Sequence, residues 1–308
     1  TAACYTDDSP GGLQVSPRTS VLLTDAPFPF DTVQSVYVYV ISVSVSAEPD
    51  TGSNANNMNW VTVTAPHRQI NLLELQQGDT ALLGAGELSA GQYRAVRLIL
   101  DGDSSSIRLK DGAVAQVHWG GSGQQAIHAF VEAAVAVPDS GTDIVIDFDV
   151  GRSFHYNDLG DGAFNFIPWI RAVNRAETGN IAGTVMRDTS GGGTAGPIKG
   201  ATVSAWGGGP GNWYIYSTGV TDAAGHYRLA YLLPGTYIVG VDPPSPSTLG
   251  AALDSNVAVN KGFETTHNVT LSAFTGSVLI NGASSMLARI TRSAVATSPA
   301  CRSDRPSR

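Results

Sequence analysis

The sequence predicts an all-β protein of two consecutive antiparallel β-sandwiches, Ig-like or prealbumin-like, with extended ends. Three observations carry that expectation. The 308 residues include 35 glycines and 16 prolines, with Ser, Thr and Val abundant and lysine scarce beside arginine. Such a composition disfavours long helices and suits short strands joined by turns. Apolar residues recur with a period of two, as at Val36, Val38 and Val40, which is the pattern of a pleated strand. The length exceeds what one small core needs, so two domains are expected.

The elements follow in order. Residues 1–18 hold two Ser-Pro pairs and no periodicity, and read as an extended leader. Val21 to Leu23 run into Thr24-Asp25-Ala26-Pro27, a strand closed by a turn, and Val36 to Val45 form a long strand with β-formers on both faces. An Asn-rich insert, Ser53 to Asn59, precedes a short strand at Trp60 to Thr64 and then the stretch Ile70 to Leu75. After turn chemistry between Gly84 and Gly91, the residues Tyr93, Val96, Leu98 and Leu100 rebuild a strand that Asp101-Gly102-Asp103 is expected to end. Ile107 to Leu109 with Asp111-Gly112 reads as a hairpin whose turn needs positive φ. Ile127 to Val137 fits a strand or a short helix, and Asp143 to Val150 and Ile167 to Val173 complete a unit spanning residues 19–174.

Residues 175–178 form a linker to a second unit, residues 179–271. Strands are expected at Ile181 to Val185, Ala201 to Trp206, Tyr214 to Thr218, Tyr227 to Leu229, Tyr237 to Val241 and Asn268 to Leu271, with a Gly-rich loop at Thr189 to Gly196. A Gly/Pro stretch, Gly207 to Gly211, is expected to interrupt this set. Residues 272–308 hold a last strand, Gly276 to Ile280, the stretch Met286 to Ile290 and a basic tail.

Charge narrows the function classes. The formal net charge is −8, which removes the counterion-release drive of nucleic-acid binding, so no nucleic-acid partner is expected. No apolar run is long enough for a membrane-spanning helix. Arg289, Arg292, Arg302, Arg305 and Arg308 crowd the last segment against Asp304 alone. That tail is a solvated end or a contact to an acidic partner or lipid headgroups. Cys4 and Cys301 are the two cysteines, too few for a disulfide framework or a four-ligand zinc site. They are free thiols, a bridge between the termini, or, for Cys4, the lipid-carrying residue of a bacterial lipoprotein whose signal ends in Thr1-Ala2-Ala3.

The sequence contains no nucleophile elbow, metalloprotease His-Glu helix, P-loop or dinucleotide turn. His67, His118, His128, His155, His226 and His267 are scattered without ligand spacing. Asn157, Asp158 and Asp161 beside glycines could gather oxygens around calcium, as could Asp101 and Asp103 to a lesser degree, although Asp and Asn next to Gly also serve ordinary turns. No other cofactor is expected. Asp147 and Asp149 share one strand face and, with His155, could support a hydrolytic site; binding to backbone or to Arg152 is the alternative. Trp206, Trp213, Tyr214 and Tyr216 flank the Gly-rich stretch of the second unit. Exposed, they would stack on sugars or anchor an interface; otherwise they fill the core.

Two resemblances follow from these residues. Leu23 to Pro27, Val36 to Val45, Ile70 to Leu75, Gly86 to Tyr93 with Arg97-Leu98, Asp147 to Ser153 and Ile167 to Arg171, taken in order, resemble the bacterial and archaeal domain of unknown function DUF4382. That resemblance implies an exported protein and brings no reaction. Gly179 to Val185, Gly200 to Val203, Thr221 to Tyr227 and Leu233 to Tyr237 are similar to the carboxypeptidase regulatory-like (transthyretin-like) sandwich, which implies a non-catalytic accessory or stalk domain. Gly207 to Gly211 and Trp213 enlarge one loop beyond that family's pattern.

The expected function is thus non-catalytic. The chain reads as an extracytoplasmic interaction protein in the periplasm or at the cell surface, membrane-anchored through Cys4. Its first expected role is an accessory subunit docked on a larger envelope complex, for example a respiratory or photosynthetic one. A carbohydrate-binding or adhesive surface module is the alternative, with a glycan as partner.

Overall fold

The computed structural model describes residues 18–26, 32–53, 57–157, 160–189, 193–209 and 212–273. Cys4, Cys301, Arg302, Arg305, Arg308 and Asp158 lie outside the described residues, as do the leader up to residue 17 and the stretches Gly276 to Ile280 and Met286 to Ile290.

In the first sandwich the strands run β1 (Arg18–Ala26), β2 (Val33–Ser46), β3 (Val61–Thr64), β4 (Arg68–Asn71), β5 (Ala81–Glu87), β6 (Gly91–Tyr93), β7 (Ala95–Leu109), β8 (Val114–Ala115), β9 (Val117–His118) and β10 (Gln124–Ala129). They continue as β11 (Val135–Val137), β12 (Asp143–Asp149), β13 (Phe154–Tyr156), β14 (Phe164–Phe166) and β15 (Ile170–Asn174), with one helical turn, α1 (Val150–Ser153), after β12. One main sheet has the order β15-β12-β1-β5; the other has β10-β7-β2-β3, with β4 on β2 and β8 on β7. The chain is all-β, as its composition predicts.

The first sheet explains why two sandwiches adhere. Strands β1 and β12 pair in parallel, with Leu23 opposite Ile146. Both are buried on both faces, which is why Val21-Leu22-Leu23 and Ile144-Val145-Ile146 read as continuous apolar runs rather than alternating ones. Because successive side chains point to opposite faces, Val21, Leu23, Ile144 and Ile146 enter the core of the first sandwich. Leu22 and Val145, with Val173, face the other way and pack on Ala230 and Tyr231 of the second unit.

Several sequence expectations are corrected. Asp101-Gly102-Asp103 does not end a strand: β7 runs through it to Leu109. The Asp101 carboxylate accepts from the Ser104 hydroxyl (2.7 Å) and the Asp103 N–H (3.1 Å), and the Ser105 hydroxyl donates to the Asp101 carbonyl, so the turn-forming groups are satisfied inside a bulged strand. Ile127 to Val137 is neither one strand nor a helix but parts of β10 and β11 with a break at 130–134. Ile70 to Leu75 breaks at Asn71, whose amide accepts from Val36 N–H and donates to Glu74, starting a 3-10 turn at Leu72–Glu74. Asp111-Gly112 does form the expected tight turn between β7 and β8, with Gly112 at φ 90°.

The second sandwich comprises β16 (Gly179–Arg187), β17 (Gly196–Pro197), β18 (Thr202–Gly209), β19 (Asn212–Val220), β20 (His226–Leu232), β21 (Gly235–Asp242), β22 (Ala252–Val259), β23 (Glu264–Thr266) and β24 (Val269–Leu271). One sheet runs β17-β16-β20, with β23 and β24 pairing β16 in parallel, and the other runs β19-β18-β21-β22. Tyr227 is buried, as its place after the Gly225 turn predicts. Gly207 to Gly209 do not interrupt the set, and Pro210 and Gly211 lie outside the described residues. Strand β18 continues through Gly209 and pairs back with Asn212, so the glycines build the end of a hairpin that holds Trp213 within β19. Gly207 must lack a side chain, since a Cβ there would lie 2.6 Å from the Tyr216 ring. Strands β22 and β23 carry too much polar sequence to be legible beforehand; β22 buries only Val257 and Val259.

Candidate functional site

Where the two sandwiches meet, two arginines of the first reach carbonyls of the second. Arg171, buried on β15, donates from Nε to Asp147 Oδ2 (2.9 Å), from Nη1 to the Tyr231 carbonyl (2.7 Å) and from Nη2 to the Ala230 carbonyl (3.0 Å). Those carbonyls are free because β20 bulges there: the β16 register jumps from Gly179–Leu232 to Ile181–Leu229. At the bulge Tyr231 adopts φ 56°. Its N–H donates to Asn180 Oδ1 (3.1 Å) and its hydroxyl to the Gly78 carbonyl of the first sandwich (2.8 Å). Arg152, on α1, donates from Nε to Asp149 Oδ2 (2.6 Å) and from Nη1 to the Ile215 carbonyl (2.9 Å). Asp149 also caps α1 by accepting from the Arg152 N–H.

Three carboxyls are buried beside this junction. Burial pushes Asp147 above the ordinary carboxylate range, with Arg171 pulling against that shift. Asp25 is pushed up further by burial, and the nearby Asp149 and Asp147 add to the effect while the Val150 N–H (3.0 Å) opposes it. Its Oδ2 is buried with no hydrogen-bond partner. A carboxyl so placed favours its neutral form.

Beside the junction opens a cleft of about 510 Å³, lined by both sandwiches. Phe130 and Trp169 from the first and Tyr214 from the second are 52%, 42% and 39% exposed. The Phe130 and Tyr214 rings lie 25° from parallel with centroids 6.5 Å apart. The Arg152 guanidinium, fixed by its two partners, sits over Trp169 at 4.5 Å and holds that ring in place. Asp50, His128 and Arg94 form a polar rim. His128 Nδ1 is hydrogen-bonded to Asp50 and meets the edge of Trp60, on which Arg97 stacks at 4.3 Å. Partial burial opposes it, yet the His128 ring and the Gly52 N–H hold Asp50 below the ordinary range. Burial, and then the Glu132 carboxylate beside it, push the Tyr216 hydroxyl up to about 12, so it stays a neutral donor in the cleft wall.

The structure distributes the sequence candidates unevenly. Tyr214 and Tyr216 line the cleft. Trp213 is exposed but outside the lining, and Trp206 is half-buried, its Nε1 donating to Ser204 Oγ (3.0 Å). Asn157 and Asp161 do meet, but through the Asn157 nitrogen (3.4 Å), and Asp161 is already taken by His118 Nε2 (2.6 Å) and the Ala163 N–H (3.1 Å). Among the described residues no group of three His, Cys, Asp or Glu side chains is arranged to hold a metal. Asp147, Asp149 and His155 do not converge: both aspartates are buried against arginines, whereas His155 is exposed on β13. Phe130, Trp169, His128 and Asp50 escaped sequence reasoning as a group. The one available signal was Pro168-Trp169, an aromatic residue beside a proline just ahead of a strand.

Residues 18–168 match the family described as "Domain of unknown function (DUF4382)". No curated protein is similar to the chain. Among solved structures, the minor pilin of Streptococcus agalactiae is similar over 86% of this chain and 100% of its own, at 12% identity and a TM-score of 0.27. A streptococcal ancillary pilin matches over 84% of this chain and 63% of its own, at 12% identity and a TM-score of 0.25. A chain of a type II cohesin–X-dockerin complex from Acetivibrio cellulolyticus matches over 30% of this chain and 57% of its own, at 18% identity and a TM-score of 0.22. At these scores nothing is carried over from those proteins.

Proposed function

With residues 18–168 matching the DUF4382 family, we propose that the protein is a non-catalytic, extracytoplasmic interaction module that holds a partner in the aromatic cleft between its sandwiches. The observation that supports this reading is the exposure of Phe130, Trp169 and Tyr214 around one open cleft whose walls are clamped by Arg152 and Arg171. Large rings left partly bare beside a fixed backbone are what a preformed binding surface requires. The buried carboxyls of the junction serve structure, since each is enclosed beside an arginine or a backbone N–H rather than open to a substrate.

In its finer form this reading makes the chain an accessory subunit of an envelope assembly, tethered through a lipid on Cys4. The second sandwich then acts as a carboxypeptidase regulatory-like spacer that supplies β19 to the cleft. The test is co-sedimentation of the purified protein with envelope fractions of its source. Trp169→Ala is expected to lower the bound fraction by about tenfold, the worth of one good ring contact. Undiminished binding by both Trp169→Ala and Tyr214→Ala would remove the cleft from the account.

A further inference from the structure

Resting on the cleft as the binding surface, we infer that its ligand is an uncharged oligosaccharide segment. Phe130 and Tyr214, nearly parallel and 6.5 Å apart, make one platform from two sandwiches, and Trp169 extends it with a ring fixed by Arg152. A pyranose offers an apolar C–H face to such rings and a circumference of hydroxyls that both donate and accept. The lining supplies both senses: the Asp50 carboxylate accepts, and Arg94 donates.

Charge complementarity points the same way. Arg152 is paired with Asp149 and Arg171 with Asp147. At the lining Asp50 and Arg94 then carry one charge of each sign, leaving no excess field to draw a phosphate, a sulfate or a strongly charged peptide. Peptide recognition by strand addition is closed off as well. The Phe130 N–H donates to the Ile170 carbonyl (2.7 Å), and its carbonyl accepts from Ala172 (3.0 Å). On edge strand β19 the Ile215 carbonyl is already occupied by Arg152. The backbone ladder that an added strand needs is interrupted on both walls, whereas ring faces and rim side chains remain available.

The experiment is a titration of the purified chain, followed by tryptophan fluorescence and calorimetry, with the neutral hexasaccharides of cellulose, chitin, laminarin and mannan. A proline-rich decapeptide and inorganic phosphate run as parallel probes. At least one hexasaccharide is expected to bind with Kd no weaker than about 1 mM. Trp169→Ala and Tyr214→Ala should each weaken it by about tenfold. Near-ultraviolet circular dichroism identifies variants that keep the native packing, and two variants on different sandwiches guard against the misfolding of either. Binding unaffected by both substitutions, no hexasaccharide binding, or preference for the decapeptide each overturns the inference. If hexasaccharides fail while envelope co-sedimentation stays Trp169-dependent, the glycan inference alone falls. If that dependence is also absent, the binding reading falls with it.

Discussion

Arg171 shows how one residue can fix the relation of two sandwiches. Its guanidinium spends one edge on Asp147 and the other on two carbonyls of the β20 bulge, all out of water. Removing one partner of a buried pair leaves an uncompensated charge. Arg171→Met should therefore destabilise the protein by about 3 to 5 kcal/mol, measured by urea unfolding, while Arg175→Met, at an exposed pair 3.4 Å long, should cost less than about 1 kcal/mol. Equal costs would show that the junction pair is not special. Asp25 gives a prediction in pH. Burial raises its native pKa above the ordinary 3.8, so between those two values the folded chain holds a proton that the unfolded chain has released. Stability from this group is present below 3.8 and lost as pH rises through the native value. Asp25→Asn should therefore gain Tm over the wild type on going from pH 4 to pH 7. A gain in the opposite direction would mean that the native carboxyl is ionised. The sequence showed Asp147 and Asp149 on one face and Arg152 as a partner. It did not show Arg171 or Asp25 in that cluster, because Arg171 is set opposite Asp147 by the register of β15 on β12, and Asp25 is brought in by β1 lying parallel to β12 across more than a hundred residues.

At the scale of elements, the informative features are places where a strand departs from regularity. The β20 bulge frees two carbonyls for the first sandwich, and the gap between β23 and β24 lies against Gly183. There His267 N–H donates to the Ala182 carbonyl (2.8 Å), and Asn268 Oδ1 accepts from the Thr184 N–H (2.9 Å). A Cβ on Gly183 would run into the His267 carbonyl. Gly183→Ala is thus expected to cost about 1 to 3 kcal/mol, read as a lowered urea midpoint with unchanged m-value. Gly112→Ala at the β7–β8 turn meets open space, so it carries only the strain of its positive φ, about 1 kcal/mol. Strand identity was legible wherever a face alternated, as in β2 and β21. Strand ends were not, since Asp-Gly and Gly-Gly pairs that ordinarily close a strand lie inside β7 and β18. Hydrogen bonds from Ser104 and Ser105, and the room Gly207 gives to Tyr216, explain both exceptions.

For the whole molecule, two sandwiches packed on a small apolar patch acquire a property neither has alone. Leu22, Val145 and Val173 meet Ala230 and Tyr231, and beside that seam Phe130 and Tyr214 complete one platform. The continuous apolar runs in β1 and β12 carried the signal that both faces of that sheet are covered. What covers the outer face, and which rings stay bare next to it, depends on docking that joins residues far apart in sequence, which periodicity cannot report. Trp213 and Trp206 therefore looked equal to Tyr214 in sequence, although of the three only Tyr214 faces the cleft. The most direct test places a photoreactive phenylalanine analogue at Phe130, at Tyr214 and, as a control, at Leu253, which is 57% exposed on β22, the opposite edge of the β19 sheet. Each protein is then irradiated after mixing with envelope fractions. Adducts from the positions at 130 and 214, with none from 253, are the predicted result. Adducts from 253 with none from the two cleft positions would contradict it.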